Sequence, residues 1–330
     1  MSIQASAITT LTRLTLKNAI LTNLAKVQAA RNSGGNLGAA IPAMRRGIDN
    51  MAARYMGQPP AHVHVRSVLA GGVPGEWISS GKPNKDRVLL YLHGGGYIVC
   101  SIETHRNLIW RMARTINGRA LAVNYRLAPE HPYPAAVDDA EASYRWLLEN
   151  GTKPENIVVA GDSAGGGLTF ALMVRLKSLG LPLPAATIGL SPWTDLAATG
   201  RSLVRNKRKD PMFDPTMLPR AIELYAPDGD VHNPEVSPLY ADHTDFPPTL
   251  IQVGSTEILL DDSRRMAKSL TEAGVECELD VWRGMPHVWQ VFSQRMPEGR
   301  EAILRMGHFM NRHLPKENAL EEPAKIRRVA

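Results

Sequence analysis

The chain has 330 residues, of which 44% are hydrophobic and 21% charged, an ordinary composition for a globular protein with a sizeable core. No apolar run approaches the roughly 18 residues that a membrane span needs, which argues against stable membrane insertion. The formal net charge is +6, but the basic stretches at 1–60 and 201–209 lack interleaved aromatic residues, so we expect no nucleic-acid partner. Two cysteines, Cys100 and Cys277, are too few for a disulfide framework and suggest no metal site. We therefore predict a cytoplasmic protein without a cofactor.

The first 60 residues are predicted to form two helices that precede the regular pattern of the chain. The second of these helices is expected over about Met44–Tyr55. The residues from His62 to Ile78 follow it and are predicted to form an antiparallel strand pair. The first helix rests on apolar residues at helical spacing, namely Leu14, Ile20, Leu21, Leu24 and Val27. Because such helices need a surface for their apolar faces, we predict that residues 1–60 form one segment of a helical cap.

From residue 87 onward, strands alternate with helices, which predicts an α/β fold with a mostly parallel sheet and helices on both faces. The predicted strands are Arg87–Leu92, Ala120–Asn124, 157–160, Ala186–Leu190, Thr249–Gly254 and Val275–Trp282. The predicted helices are 104–116, Ala135–Glu149, the run from Leu168 to Gly180, 215–225, the run from Asp261 to Gly274, and 298–313.

Residues 195–247 interrupt this alternation, because they are polar, basic and rich in proline. We predict a catalytic domain of residues 61–194 and 231–314, with 195–230 as a second cap segment over the carboxyl ends of the strands, where ligands bind in open α/β sheets. Residues 315–330 show no burial pattern and are expected to be disordered.

The strand at 157–160 leads directly into Gly161-Asp162-Ser163-Ala164-Gly165, followed by a helical run. A sharp strand-to-helix turn with small flanking residues is the nucleophile elbow of α/β-hydrolases, which would make Ser163 the nucleophile. A glycine-rich turn that happens to contain a serine is the alternative interpretation. The strand and helix on either side favour the elbow.

A serine nucleophile needs a histidine base and a carboxylate that orients it, and in this fold they follow the serine in the order acid, then histidine. Of the ten histidines, His287 is favoured because it lies in a loop just after a strand. The loop after Thr249–Gly254 offers three carboxylates, Glu257, Asp261 and Asp262. Aspartates at the start of a helix are well explained as caps. Glu257 is therefore the favoured acid, and Asp261 is the alternative.

Acyl transfer also needs amide donors for the oxyanion. The run His93-Gly94-Gly95-Gly96-Tyr97 ends a strand and has the form of the glycine-rich loop of lipases and esterases, which acts with the amide after the nucleophile. A phosphate-binding loop is the rival interpretation, but the run lacks a following Gly-Lys-Ser/Thr.

Taken together, these motifs resemble those of the bacterial hormone-sensitive-lipase-like (family IV) esterases. Their amino-acid sequences are most similar to the branch that contains monoterpene lactone hydrolases and acetyl hydrolases. The resemblance rests on His93-Gly94-Gly95-Gly96, Tyr125-Arg126-Leu127-Ala128-Pro129-Glu130, Gly161-Asp162-Ser163-Ala164-Gly165, Ser191-Pro192-Trp193 and Pro286-His287. It implies an α/β-hydrolase fold with a helical cap, and an oxyanion hole formed by Gly95, Gly96 and Ala164. This chain has Glu257 where the family usually has the first aspartate of its acid loop.

The resemblance further implies a cofactor-free serine carboxylesterase that acts on short-chain, small-molecule esters. Tyr97, Trp193 and Trp289 are candidates for shaping the substrate pocket, although ordinary core packing would account for any one of them. A homodimer through the edge strand near Cys277–Trp282 is a further expectation. Lactone or amide hydrolysis at the same site, and a non-catalytic receptor of the same fold, stay open as alternatives.

Overall fold

The protein is described here by a computed structural model that covers residues 1–18, 22, 37–56 and 58–316. Ile20, Leu21, Leu24 and Val27 of the first predicted helix lie outside the described residues, as does most of the predicted disordered tail. The part of the first helix that is described comprises an α-helix, α1 (Ile3–Leu11), and a π-helical turn at Thr12–Leu16.

An eight-stranded sheet forms the centre of the molecule, with the strand order β1-β2-β4-β3-β5-β6-β7-β8. The first two strands form an antiparallel hairpin, β2 pairs antiparallel with β4, and every other pair is parallel. The strands are β1 (Val63–Ala70), β2 (Val73–Ser80), β3 (Val88–Leu92), β4 (Arg119–Val123), β5 (Ile157–Asp162), β6 (Ala186–Leu190), β7 (Thr249–Gly254) and β8 (Cys277–Trp282). The predicted mostly parallel α/β fold is therefore confirmed.

Helices cover both faces of this sheet. The remaining α-helices are α2 (Leu37–Met56), α3 (Ile102–Thr115), α4 (Ala135–Glu149), α5 (Ala164–Ser178), α6 (Ser202–Arg205), α7 (Leu218–Tyr225), α8 (Leu260–Glu272) and α9 (Pro297–His313). Short 3-10 turns occur at Pro154–Asn156, Pro215–Met217, Pro238–Tyr240 and Trp289–Phe292. Among the described residues, no helix has both the length and the apolar character needed to span a membrane.

The core divides at the sheet because successive side chains of a strand point to opposite faces. Leu90 and Leu92 of β3 belong to the cluster that contains α4 and α5, whereas Leu89 and Tyr91 belong to the cluster that contains α3 and α9. All five residues of β3 are buried, as expected for a central parallel strand. This central position fixes β3 and β5 side by side, so that the loops at their carboxyl ends meet.

Several element boundaries differ from the predictions, and two of these differences have a local explanation. Strand β5 extends to Asp162, because Asp162 still pairs with Leu190 of β6. Strand β8 begins only at Cys277, because the amide of Val275 donates to the carbonyl of Leu270 at the end of α8. Val275 is β-branched and was predicted to start the strand, but its amide instead bonds to the end of helix α8.

The two predicted cap segments contact each other and the loops above the sheet. Arg13 donates to the carbonyl of Lys209, and Lys17 donates to the carbonyls of Asp210 and Phe213. The guanidinium of Arg45 on α2 donates to other carbonyls near the glycine-rich loop, as described below. These contacts join residues 1–60 to the carboxyl edge of the sheet.

Candidate active site

Ser163 occupies the sharp turn between β5 and α5. Its backbone has φ 54° and ψ −120°, a left-handed conformation that is costly for a residue with a side chain. Three hydrogen bonds hold the turn: the amide of Ser163 donates to the carbonyl of Leu190, at 2.8 Å, and its carbonyl accepts from the amides of Gly167 and Trp193, at 3.0 and 2.9 Å. The strained residue is therefore fixed by strand β6 and by the loop that follows it.

The glycines beside Ser163 are required by close backbone packing. A Cβ atom at Gly165 would lie 2.0 Å from the carbonyl oxygen of Leu92, and one at Gly161 would lie 2.2 Å from the carbonyl oxygen of Gly165. No side chain fits at such distances, so both positions of this Gly-x-Ser-x-Gly run require glycine.

His287 and Glu257 are hydrogen-bonded to each other at the carboxyl ends of β8 and β7. The Nδ1 atom of His287 lies 2.7 Å from Oε2 of Glu257, and both side chains are buried, with exposures of 4% and 0%. Burial is the largest influence and lowers the pKa of His287, but the charge and hydrogen bond of Glu257, together with the charges of Asp210 and Asp162, raise the pKa overall. Within the described residues, Nε2 of His287 has no hydrogen-bond partner. That nitrogen is left available to a hydroxyl group.

The other oxygen of Glu257 is also engaged. Its Oε1 accepts from the hydroxyl of Ser191, at 2.8 Å, and from the amide of Gly254. The same hydroxyl accepts from the amide of Val288, at 3.2 Å, so Ser191 links the acid loop to the histidine loop. Sequence reasoning did not identify this role of Ser191, which appeared only within the Ser-Pro-Trp run. Its positive φ of 47° was not visible in the sequence.

Asp261 and Asp262, the other two candidate acids, are hydrogen-bonded to the chain that follows β6. Oδ2 of Asp261 accepts from the amide of Ser202 at the start of α6, at 2.8 Å, and its own amide donates to the Ser202 hydroxyl. Asp262 accepts from the amides of Thr194 and Asp195. Both carboxylates therefore fasten the chain after β6 to helix α8. Of the three candidate acids, Glu257 is the one that is hydrogen-bonded to the histidine in the described part of the chain.

The second predicted cap segment reaches the same histidine. The ring of Phe213 packs edge-on against the ring of His287, with centroids 4.7 Å apart. Asp210 accepts from the amide of Ile258, at 2.8 Å, and Asn206 donates to the carbonyl of Glu257, at 2.8 Å. No sequence signal pointed to these three residues.

The glycine-rich loop follows β3 and faces the elbow. Gly95 and Gly96 have φ values of 117° and 63°, and a Cβ atom at Gly96 would meet no atom within 4 Å, so this side of the loop borders open space. The carbonyl of Gly95 accepts from the amides of Ile98 and Val99, which folds the loop back on itself. In the described part of the chain, no acceptor is bonded to the amides of Gly95, Gly96 or Ala164. These donors are available to a developing oxyanion.

The three candidate pocket aromatics are all buried, but they lie in two places. Tyr97 stacks on Tyr225, with centroids 3.7 Å apart, and lies 6.4 Å from Trp193, within the core cluster on the elbow side of the sheet. Trp289 instead packs against Trp282, in a small cluster with Ala5, Met285, Met296 and Ala302. Of the two interpretations that the sequence left open for Trp289, this position corresponds to core packing.

Several known proteins are similar in sequence to this chain. Residues 89–291 match a family described as having the alpha/beta hydrolase fold. An acetyl-hydrolase of Streptomyces hygroscopicus is 42% identical over 255 residues, which cover 77% of this chain and 84% of that protein. An esterase of Acinetobacter venetianus is 35% identical over 285 residues, which cover 86% of this chain and 93% of that protein.

Two solved structures are similar to this chain in both fold and sequence. The crystal structure of an esterase from the bacterial hormone-sensitive lipase family is similar with a TM-score of 0.81 and 41% identity, and the match covers 89% of this chain and 99% of that one. The esterase EstE5, whose crystal was soaked with p-nitrophenyl butyrate, is similar with a TM-score of 0.80 and 38% identity, covering 88% of this chain and 98% of that one.

Proposed function

Since the chain belongs to the alpha/beta hydrolase family, in its bacterial hormone-sensitive-lipase-like branch, we propose that it is a serine carboxylesterase acting on short-chain acyl esters. The observation that carries this proposal is the buried 2.7 Å hydrogen bond from His287 to Glu257, with Nε2 of the imidazole left without a partner in the described residues. An imidazole oriented in this way is a general base for a nearby serine.

The proposed reaction has two halves. Ser163 attacks the ester carbonyl carbon while Nε2 of His287 takes the hydroxyl proton, and the oxyanion is stabilised by the amides of Gly95, Gly96 and Ala164. The histidine then protonates the departing alkoxide, which leaves as an alcohol. A water molecule, deprotonated by the same nitrogen, attacks the acyl-enzyme and releases the carboxylic acid and the free serine. Glu257 holds the imidazole in the required tautomer and stabilises its positive form.

The acyl chain length is inferred from the relatives and from the surroundings of the elbow. The acetyl-hydrolase at 42% identity takes its name from a two-carbon acyl group, and crystals of EstE5 were soaked with a four-carbon ester. Beside the elbow, Tyr97 and Trp193 are packed into the core, which supports a small acyl site. Trp289 stays a candidate pocket residue only if its small cluster with Ala5, Met285, Met296 and Ala302 rearranges around substrate.

Hydrolysis of p-nitrophenyl acetate, butyrate and octanoate tests this proposal. We expect turnover of the two short esters, a marked decrease with octanoate, and loss of activity in Ser163→Ala. Wild-type protein that hydrolyses none of the three would contradict the enzyme assignment. Equal or faster turnover of octanoate would contradict only the short-chain preference.

The organisation of the chain around this site is part of the proposal. We infer that residues 1–60 and 195–230 form the cap, which the contacts of Arg13 and Lys17 with residues 209–213 support. A homodimer through the edge strand β8 is proposed on its position at the end of the sheet, and light scattering of the purified protein tests it. A cytoplasmic location is proposed on the two unpaired cysteines, and fractionation of the source cells tests it.

A further inference from the structure

The carboxylate of Asp162 joins three structural elements directly beneath the active site. Its Oδ1 accepts from the hydroxyl of Tyr91 on β3, at 2.7 Å, and from the amide of Gly94 in the glycine-rich loop, at 3.0 Å. Its Oδ2 lies 3.2 Å from Nε2 of His105 on α3. Because Asp162 precedes Ser163 and Gly94 precedes Gly95, this carboxylate connects the nucleophile to the proposed oxyanion loop.

The partners of His105 are hydrogen-bond acceptors on both sides of its ring. Nε2 faces the Asp162 carboxylate, and Nδ1 lies 3.2 Å from the carbonyl oxygen of Ser101 and 2.7 Å from the hydroxyl of Thr104. The Ser101 carbonyl can only accept, and the Thr104 hydroxyl also accepts from the ring when it donates its one proton to that carbonyl, at 2.7 Å. A neutral imidazole has one N–H and can satisfy one side only, whereas an imidazolium donates on both.

Because His105 and Asp162 are both buried, the stability of their contact depends on the charge that each carries. The side chains of His105 and Asp162 are 8% and 4% exposed, and a buried carboxylate without a counter-charge is strongly unfavourable. Burial lowers the pKa of His105, but the Asp162 charge and hydrogen bond outweigh it and raise the pKa overall. For Asp162, burial raises the pKa, and the His105 charge and hydrogen bonds lower it overall.

The other ionisable groups around the pair do not supply this charge. The ring of His93 lies 5.9 Å from that of His105, and burial followed by repulsion from His105 lowers the pKa of His93 to about 4. Tyr91, with its ring 6.2 Å away, and Cys100 both stay protonated, because burial and the Asp162 charge raise the pKa of each. The thiol pKa rises to about 12. His105 is therefore the group of this cluster that can place a positive charge against Asp162.

We propose that His105 is a positioning residue of the active site: as an imidazolium it fixes the Asp162 carboxylate, which in turn holds Gly94 and aligns the oxyanion amides with Ser163. This inference rests on the proposed esterase function. His105 touches no substrate in this scheme and acts only through Asp162. It accounts for a histidine on α3 that the catalytic steps do not use.

The protonation state of His105 can be measured in the wild-type protein. Histidine labelled with ¹⁵N, assigned through backbone resonances, should show His105 with both ring nitrogens protonated at about pH 8, above the ordinary histidine pKa of about 6.5. A neutral His105 at that pH would overturn the proposal. This measurement needs neither catalytic activity nor a folded variant, so its failure is distinct from failure of the esterase assignment.

Kinetics test the consequence for catalysis. In His105→Gln we expect kcat for p-nitrophenyl acetate to decrease by about tenfold to 10²-fold with KM within about twofold, because misplaced oxyanion donors affect the transition state and not substrate binding. His308→Gln, the same change at an exposed histidine, should keep wild-type values. Wild-type kcat in His105→Gln would overturn the proposal.

The path through Asp162 is tested by a double-mutant cycle. If His105 acts through Asp162, then Asp162→Asn and His105→Gln each reduce kcat, and the double variant is little worse than the more impaired single variant. Effects that multiply would show that the two residues act independently and would overturn the proposal. Melting curves of all variants identify any that fail to fold.

Discussion

Glu257 and His287 are joined by a hydrogen bond of 2.7 Å between Oε2 and Nδ1, inside the protein and at the ends of two neighbouring strands. A glutamate has one methylene group more than an aspartate, and this acid lies only three residues beyond the end of β7. Its Oε1 is held by Ser191 and by the amide of Gly254. The longer side chain is thereby fixed at both oxygens, which orients the imidazole.

The first prediction separates the two candidate acids. Glu257→Ala should reduce kcat by about 10³- to 10⁴-fold, in the range found when a triad acid is removed. Asp261→Ala should retain kcat within a few-fold, because this carboxylate contacts the start of α6 instead of the histidine. Initial rates with p-nitrophenyl butyrate provide the comparison. An inactive Asp261→Ala together with an active Glu257→Ala would move the acid by one helical turn.

The pH dependence follows from the raised pKa of His287. The base must be neutral to accept the serine proton, so kcat/KM should decrease as the pH falls through a value above the ordinary histidine pKa of about 6.5. In Glu257→Gln, the residual activity should show this acidic decrease at lower pH, since the carboxylate that favours the imidazolium is gone. An unchanged midpoint in Glu257→Gln would mean that another group controls it.

The raised pKa of His287 also affects the free energy of unfolding. A group whose pKa is raised on folding contributes stability that is complete below its unfolded pKa and is lost as the pH rises through its folded pKa. Protonation of His287 therefore favours the folded state while it stops catalysis. We expect the His287 contribution to the free energy of unfolding to be larger at pH 5 than at pH 9, which urea unfolding of wild type and His287→Gln can measure.

Ser191 is predicted to matter although it is remote from the reacting atoms. Ser191→Ala removes the donor to Oε1 of Glu257 and the acceptor for the amide of Val288, so the acid and histidine loops lose their common contact. We expect kcat to decrease by about tenfold, in line with the loss of two buried hydrogen bonds that together contribute about 1–2 kcal/mol. Ser178→Ala, at an exposed serine, is the matched control. Additive effects of Ser191→Ala and Glu257→Ala would contradict this role.

Much of this architecture was predictable because its signals are local. Alternating apolar strands and helices predicted the parallel sheet, and the small residues around Ser163 predicted the elbow. Glu257 was favoured over Asp261 because a place at the start of a helix already explained the aspartate. Asp261 does lie in the first turn of α8, but its carboxylate accepts from the start of α6, and the N-cap of α8 is Leu259.

The remaining features depend on contacts between distant and irregular segments. Phe213 reaches His287 from a stretch with little periodicity, and Ser191 contacts an acid 66 residues away. Trp289 looked like either a pocket or a core residue, and its burial beside Trp282 depends on the approach of α1 and α9. Residue type and spacing carry no information about such approaches.

The steric requirement at Gly165 predicts a large loss of stability from a small change. Gly165→Ala would bring Cβ to 2.0 Å from the carbonyl oxygen of Leu92, so the start of α5 would have to move away from the end of β3. We expect a destabilisation of about 1–3 kcal/mol or more, typical of overpacking. Gly47→Ala is the control: its Cβ meets nothing within 4 Å, and within helix α2 alanine should be stabilising by about 0.5–1 kcal/mol. Equal melting temperatures for the two variants would refute the packing argument.

Arg45 connects helix α2 to the loop that carries the proposed oxyanion donors. Its guanidinium donates to the carbonyl of Ile98, at 2.8 Å, to the carbonyl of Ala128, at 2.9 Å, and to the carboxylate of Glu130. The amide of Ile98 in turn donates to the carbonyl of Gly95, so the arginine connects α2 to the glycine-rich loop. A lysine cannot reproduce this fork of donors.

Arg45→Gln should therefore lower kcat by about threefold to tenfold, because it costs several hydrogen bonds of about 1 kcal/mol each at a partly exposed site. It should also increase proteolytic cleavage within residues 37–56, since α2 loses the hydrogen bonds of Arg45 to the loops that contain Ile98 and Ala128. Arg46→Gln removes the same charge from the neighbouring exposed position and should change neither property. If both variants lost activity equally, net charge near the cap, and not the bonds of Arg45, would be responsible.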